Sequence, residues 1–398
     1  MAHFHLCWEL GGGLGHAGRL KMLAQALLAR GHQVSMSLRD LMRSHALLAD
    51  LDVPKLQAPV WLHQVVGLPS PPGSLAEILL NCGYLEPSSL RGTVAGWRSM
   101  FELLRPDLIV ADFAPTAILA ARGMGLRSAS VGNGFYSPPP GRPLPPLHQQ
   151  APAARLAASE ARVLRTANAL LGERPFEHAV DLLLGDLPLL CTWPELDHYA
   201  RPEADAAHWF GPNFLPDVGG AVPQWPADAE RKVFAYLKAA HPSHAAVLRA
   251  LVEEGCHTLV YMPEVAGGAA PPVVSPLLHY APGPVAMSRA LAEVDLCVSH
   301  AGEGALAQSL LAGVPLLMLP SHTEQSMTAS RVALSGAGHN AAAMTPTSDW
   351  RGLVRQVLDD DRYRQAARAF AARHQGFSQQ RMNAELAELL ERQLGKLM

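Results

Sequence analysis

Two short stretches carry side chains able to do chemistry, and both interrupt apolar runs. The first is WELGGGLGHAGRL, residues 8–20. Gly11, Gly12, Gly13 and Gly15 put bare backbone between an apolar run and a helical pattern. Such backbone lets an anionic or polyhydroxyl ligand come close, and a helix start favours negative charge. His16 adds an imidazole, a side chain able to take or give a proton. The dinucleotide pattern GxGxxG fits poorly: from Gly11 it runs through Gly13 and then meets His16 where the third glycine belongs. The second stretch is VSHAGEGALAQSLLAGVPLLMLPSHTEQ, residues 298–325. His300 closes a strand, and Gly302 and Gly304 flank Glu303 at the start of a helix whose N–H groups can hold a diphosphate. Glu324 and Gln325 follow the next strand and can hydrogen-bond sugar hydroxyls. A third candidate is Asp112 in LIVADF, residues 108–113. An aspartate ending an apolar strand needs a partner, or it caps the helix that starts after Pro115; the sequence leaves both open.

These residues need strands to hold them. FHLCWEL (4–10) reads as a buried strand and AGRLKMLAQALLARG (17–31) as a helix, with Leu20, Leu23, Leu27 and Leu28 on one face and Gly31 at its stop. HQVSMSL (32–38) completes a βαβ unit, which implies a parallel sheet. The alternation continues with strands at 106–113, 127–135 and 187–193, a helix at 115–125, a proline-rich irregular loop at 137–148 and a long helical region at about 151–184. It restarts with strands at 232–237, 257–262, 294–300 and 314–320, and helices at 243–255 and 304–313. A helical tail runs from about 351. The Pro- and Gly-rich segment at about 211–230 reads as a linker. The fold class expected is α/β, with two Rossmann-like domains facing a cleft. In such sheets ligands bind at the carboxyl ends of strands, where all three candidates fall.

Composition narrows the partners. The chain has 398 residues, long enough for two domains, and a net charge of −3 gives nucleic acid no electrostatic support. None of the five cysteines forms a CxxC pair or a metal-ligand spacing, so buried thiols in a reducing cytosol are expected. No secretory signal and no run of membrane-spanning length is visible, which predicts a cytoplasmic protein with contact at a membrane surface left open. HPSH (241–244) places two histidines three apart at a helix start, and a capping or surface role is expected there. No DxD pair of the sort that holds a divalent ion is seen, and Asp359 to Asp361, in a polar helical tail, read as solvated surface.

The second stretch resembles the donor signature of family-1-type, UDP-sugar-dependent glycosyltransferases of the GT-B fold. HAGEG (300–304), LAGVP (311–315) and PSHTEQ (320–325) follow that signature in order and spacing. The resemblance covers most of the chain and is strongest over 231–345. It implies an acceptor-binding domain at 1–212, a linker at 213–230, a nucleotide-sugar domain at 231–375 and a helix at 376–398 crossing back to the first domain. It implies diphosphate contacts from His300, Gly302, Glu303 and Gly304, sugar contacts from Glu324 and Gln325, and a nucleobase cradle around Pro282 and Val285. It further implies that His16 is the general base of an inverting hexosyl transfer, oriented by Asp112, with no metal and no cofactor beyond the nucleotide sugar. Gly13, Gly15 and Asn133 would line the acceptor side. Two departures stand out. Ala305 replaces a frequent Thr or Ser, and Arg19 replaces the proline of Gly-His-x-x-Pro, either to bind an acceptor anion or to face solvent. The acceptor and the oligomeric state stay open. A lipid-linked acceptor at a membrane surface, a nucleotide-sugar 2-epimerase and a non-catalytic nucleotide-sugar binder are the alternatives. LRGTVAGWRSMFELLR (90–105) would be the membrane-facing stretch of the first, if it is not an ordinary amphipathic helix.

Overall fold

The computed structural model describes residues 1–141, 143–202, 208–215, 217, 220, 225–226 and 229–395. Much of the segment expected as a linker, and residues 396–398 of the expected crossing helix, lie outside these. The chain divides into two compact units, Met1–Asn213 with Ser378–Met398, and Phe214–Phe377.

The first unit is built on six parallel strands: β1 (His3–Trp8), β2 (Gln33–Leu38), β3 (Lys55–Gln57), β4 (Leu108–Asp112), β5 (Ser128–Gly132) and β6 (Leu187–Leu190), in the order 3-2-1-4-5-6. Strands buried on both faces read as continuous apolar runs, and β4 is buried at every residue. The helix Leu14–Ala29 packs its Leu20, Leu23 and Leu27 inward. Leu28, expected on that face, is instead 36% exposed, because it lies one residue, about 100°, around the helix from Leu27. Gly31 does leave this helix with φ of 81°, a conformation glycine takes without strain. The helical region at 151–184 is not continuous. It comprises Ala153–Asn168 and the short Asp181–Leu184. Between them the Asn168 side chain exchanges two hydrogen bonds with the backbone of Phe176, at 2.8 and 2.9 Å, and turns the chain.

The second unit repeats the plan with β7 (Lys232–Tyr236), β8 (His257–Tyr261), β9 (Leu278–Tyr280), β10 (Leu296–Ser299), β11 (Leu316–Met318) and β12 (Gly338–Asn340). Its order is β12-β11-β10-β7-β8-β9, again parallel and again with the first and fourth strands of the unit side by side. Val233, Ala235, Leu248, Val260, Val298 and Leu317 form the centre of its core. The tail is three helices, Trp350–Asp359, Asp361–Arg373 and Gln379–Gly395. Asp360 breaks the first from the second, its side chain accepting from the Arg362 N–H at 3.1 Å as an N-cap.

Candidate active site

In a sheet of this order the strand sequence reverses between the first and fourth strands, and the loops leave in opposite directions to open a crevice. In the first unit that point lies between β1 and β4, whose ends pair Trp8 with Asp112. After β1 the chain bends through Gly11 (φ 78°) and Gly13 (φ 87°) and enters its helix at Leu14, so His16 stands in the first turn. Its Nδ1 lies 2.9 Å from Asp112 Oδ1. Arg19, one turn further, donates from Nη1 to Asp112 Oδ2 at 2.8 Å. All three side chains are buried.

Burial alone would push the Asp112 carboxyl up. The Arg19 guanidinium, then His16, and the hydrogen bonds from both outweigh it and hold the carboxyl below the ordinary carboxylate range. The imidazole is gripped on both sides. Trp8 stacks on it at 5.2 Å with 15° between planes, and Tyr136 packs at 5.1 Å. Gly11 lies against its free edge: a Cβ there would fall 2.5 Å from Nε2. The bare backbone at Gly11 therefore serves the histidine itself. Gly13 and Gly15 are exposed, with open space where a Cβ would stand.

The sequence left Asp112 open between a partner and a helix cap, and the first is what forms. The Pro115–Met124 helix is preceded by Ala114 with no side-chain cap. Glu9, which sequence reasoning passed over, takes that place: its Oε2 accepts from the Thr116 N–H at 2.8 Å. Arg19 does not face solvent, being 6% exposed and tied to Asp112. Asn133 is buried just past β5, its Oδ1 accepting from the Phe135 N–H at 3.1 Å.

In the second unit the corresponding reversal lies between β7 and β10. His300 follows β10 directly and is 3% exposed, with neither ring nitrogen in a well-formed hydrogen bond among the described residues. Burial, then the charge of Lys238, lowers it to about 4, so at neutral pH it is an uncharged imidazole able to donate one N–H. Ala301 next to it holds φ of 62°, a left-handed conformation rare for a residue with a Cβ. The helix Glu303–Leu311 then starts with Gly302 at its N-cap, and its first N–H groups have no acceptor within the helix. Glu324 and Gln325 lie in the first turn of the helix Thr323–Leu334, and Gln325 Oε1 accepts from the Ser321 N–H at 2.8 Å. After β9, Pro282 is exposed and Val285 buried.

Sequence reasoning missed Lys238. It stands two residues past β7, is exposed, and has no ion pair among the described residues. The register of β7 on β10, with Val298 opposite Ala235, carries it alongside the turn after His300. The signal in the sequence is a cation just past the end of an apolar strand. His241 of HPSH is also there. It caps its own turn, accepting from the Ser243 N–H at 3.2 Å, and its ring lies 6.4 Å from that of His300.

Residues 280–391 match the family described as the C-terminal domain of erythromycin biosynthesis protein CIII-like proteins. An uncharacterised glycosyltransferase of Methanosarcina acetivorans is 24% identical over 378 residues, spanning 91% of this chain and 90% of that one. Among solved structures, the glycotransferase of kitacinnamycin aligns with a TM-score of 0.70 at 19% identity over 98% of both chains. The spinosyn rhamnosyltransferase SpnG aligns at 0.67 and 17%, covering 98% of this chain and 99% of that one. SsfS6, a Streptomyces sp. SF2575 glycosyltransferase complexed with thymidine diphosphate, aligns at 0.63 and 18%, covering 98% and 100%. The two six-stranded parallel sheets are thus those of the GT-B glycosyltransferase fold. Among the described residues no helix is long and apolar enough to cross a membrane.

Proposed function

We propose that the protein is an inverting glycosyltransferase that moves a sugar from a pyrimidine nucleoside-diphosphate sugar to a hydroxyl of a small-molecule acceptor. The observation that carries this reading is the 2.9 Å contact between His16 Nδ1 and Asp112 Oδ1, with no hydrogen bond to Nε2 among the described residues. A carboxylate on Nδ1 fixes the tautomer that keeps a lone pair on Nε2 and stabilises the imidazolium once formed. Nε2 takes the acceptor O–H proton as the oxygen bonds to the anomeric carbon. The bond from that carbon to the diphosphate oxygen breaks on the opposite face, which inverts the configuration. The departing charge is met by the N–H groups at the start of Glu303–Leu311, by the His300 N–H and by Lys238. Gln325 and Glu324 are proposed to hold the sugar, and Pro282 and Val285 to flank the base. The thymidine diphosphate bound by the SsfS6 structure supports testing dTDP beside the UDP that the sequence resemblance implies.

The test has two parts. A thermal-shift screen of UDP, dTDP and GDP is run on the wild type, His300→Ala and Lys238→Ala. A ligand at 100 times its Kd stabilises the fold by about 2.7 kcal/mol. One pyrimidine diphosphate is expected to stabilise the wild type and both variants less. Diphosphate release from the matching nucleotide sugar is then followed with candidate acceptors. His16→Ala and Asp112→Asn are expected to lose about 10²–10⁴-fold in kcat while keeping their diphosphate shift. Equal turnover by His16→Ala would sink the base assignment.

A further inference from the structure

Three rings run across the strand ends of the second unit. Tyr261 ends β8 and Tyr236 ends β7, opposite one another in register, and their rings stack at 5.4 Å with 26° between planes. Tyr236 in turn meets the His300 ring edge-on at 5.8 Å. Glu264 follows β8 beside this row. Burial and then the charge of Glu264 raise the Tyr261 phenol above its ordinary value. Burial, then Tyr261, then Glu264 raise that of Tyr236. Yet Oε2 of Glu264 is buried with no hydrogen-bond partner among the described residues. A carboxylate oxygen held away from water and from any donor is costly to keep.

We infer that Glu264 binds the ribose of the nucleotide, its carboxylate accepting from the 2′- and 3′-hydroxyls. The inference rests on the reading of the second unit as the nucleotide-sugar domain. Sheet order gives the placement. β10 and β7 lie side by side and bring His300 and Lys238 to the diphosphate. β9, at the sheet edge, leads to Pro282 and Val285 at the base. β8 lies between β7 and β9, and the part of a nucleotide between its diphosphate and its base is the ribose. Glu324 and Gln325, past β11 on the other side of β10, are left to the transferred sugar. Charge gives the same answer. A carboxylate repels a diphosphate, whereas two vicinal hydroxyls offer it two donors and no charge. In doubly wound dinucleotide folds too, a carboxylate of the sheet domain meets the ribose 2′-hydroxyl. Glu264 then favours a uridine donor over a deoxythymidine donor.

The test compares two ligands that differ by one hydroxyl. The Kd values of UDP and 2′-deoxy-UDP are measured by isothermal titration calorimetry on the full chain, as wild type, Glu264→Gln and Glu264→Ala. The wild type is expected to bind UDP about tenfold or more tightly than its deoxy form, the worth of a hydrogen bond to a charged group. In Glu264→Ala the ratio is expected to fall to about one. In Glu264→Gln, whose amide oxygen still accepts but carries no charge, it should lie between. Melting of the ligand-free chains reads a purely structural role: with no partner lost, both variants are expected to melt at or above the wild-type temperature. A ratio that stays in place in folded Glu264→Ala overturns the inference. So does equal weakening of both ligands, which would put the carboxylate on the base N–H. Collapse of both variants overturns it as well, assigning Glu264 to stability. A wild type that binds UDP and 2′-deoxy-UDP alike removes the ribose assignment and leaves the donor site standing. A wild type that binds neither of them nor dTDP removes the donor reading itself, and the inference with it.

Discussion

At the scale of single residues, the site depends on a glycine as much as on its polar groups. Gly11 combines φ of 78° with a Cβ position 2.5 Å from His16 Nε2. Gly11→Ala therefore adds both backbone strain and a direct collision with the proton-accepting atom. It is expected to cost about 1–2 kcal/mol in urea denaturation and to lower kcat by at least about tenfold, since a small misplacement of a base is felt strongly in rate. An alanine variant with full activity would show that the imidazole is not held where it reacts. His16 and Asp112 were legible in the sequence only as a resemblance, because 96 residues separate them and nothing local links them. Arg19 was visible, but its contact with Asp112 was not. A cation near a glycine turn says nothing about direction, and only the end of β4 shows which carboxylate it meets.

At the scale of elements, the strands that hold the site were readable as continuous apolar runs, and the site follows from where those runs stop. The edge strands β3, β9 and β12, three residues each, were not readable, since three residues hold no period. The helix Thr323–Leu334 was hidden too: TEQSMTASRVAL spreads its few apolar residues around the cylinder. Another link between elements is Glu9, which ends the apolar run of the first strand and caps the Pro115–Met124 helix in place of Ala114. Burial raises its carboxyl to about 7, against the lowering effect of hydrogen bonds from Thr116 and Ala117 and the charge of Arg39. A folded pKa above the unfolded value means the native chain binds the proton more tightly. Stability is then full below about pH 4.5 and falls as pH rises toward 7. Glu9→Gln is expected to remove that fall, so its melting temperature relative to the wild type rises between pH 5 and pH 8. Parallel melting curves for the two chains across that range would refute the cost of ionising Glu9.

At the scale of the whole molecule, the first unit is assembled from both ends of the sequence. The helix Gln379–Gly395 lies against Leu14–Ala29 and buries Met382, Leu386, Ala387 and Leu390. Arg127 Nη1 donates to the Gln393 carbonyl at 2.9 Å, and Arg30 pairs with Glu391. Ending the chain at Ser378 is expected to destabilise the first unit by about 5 kcal/mol or more, from the burial of those side chains alone. Limited proteolysis should then cut within residues 1–213 at protease levels that leave the full chain intact. The same arrangement has a consequence for how the protein is made. A ribosome that has finished residues 1–213 must still translate Phe214–Phe377 before the covering helix exists. At ordinary elongation rates that interval is roughly 10–30 s. For that time the nascent first unit carries an uncovered apolar strip along its first helix, a target for chaperones during synthesis.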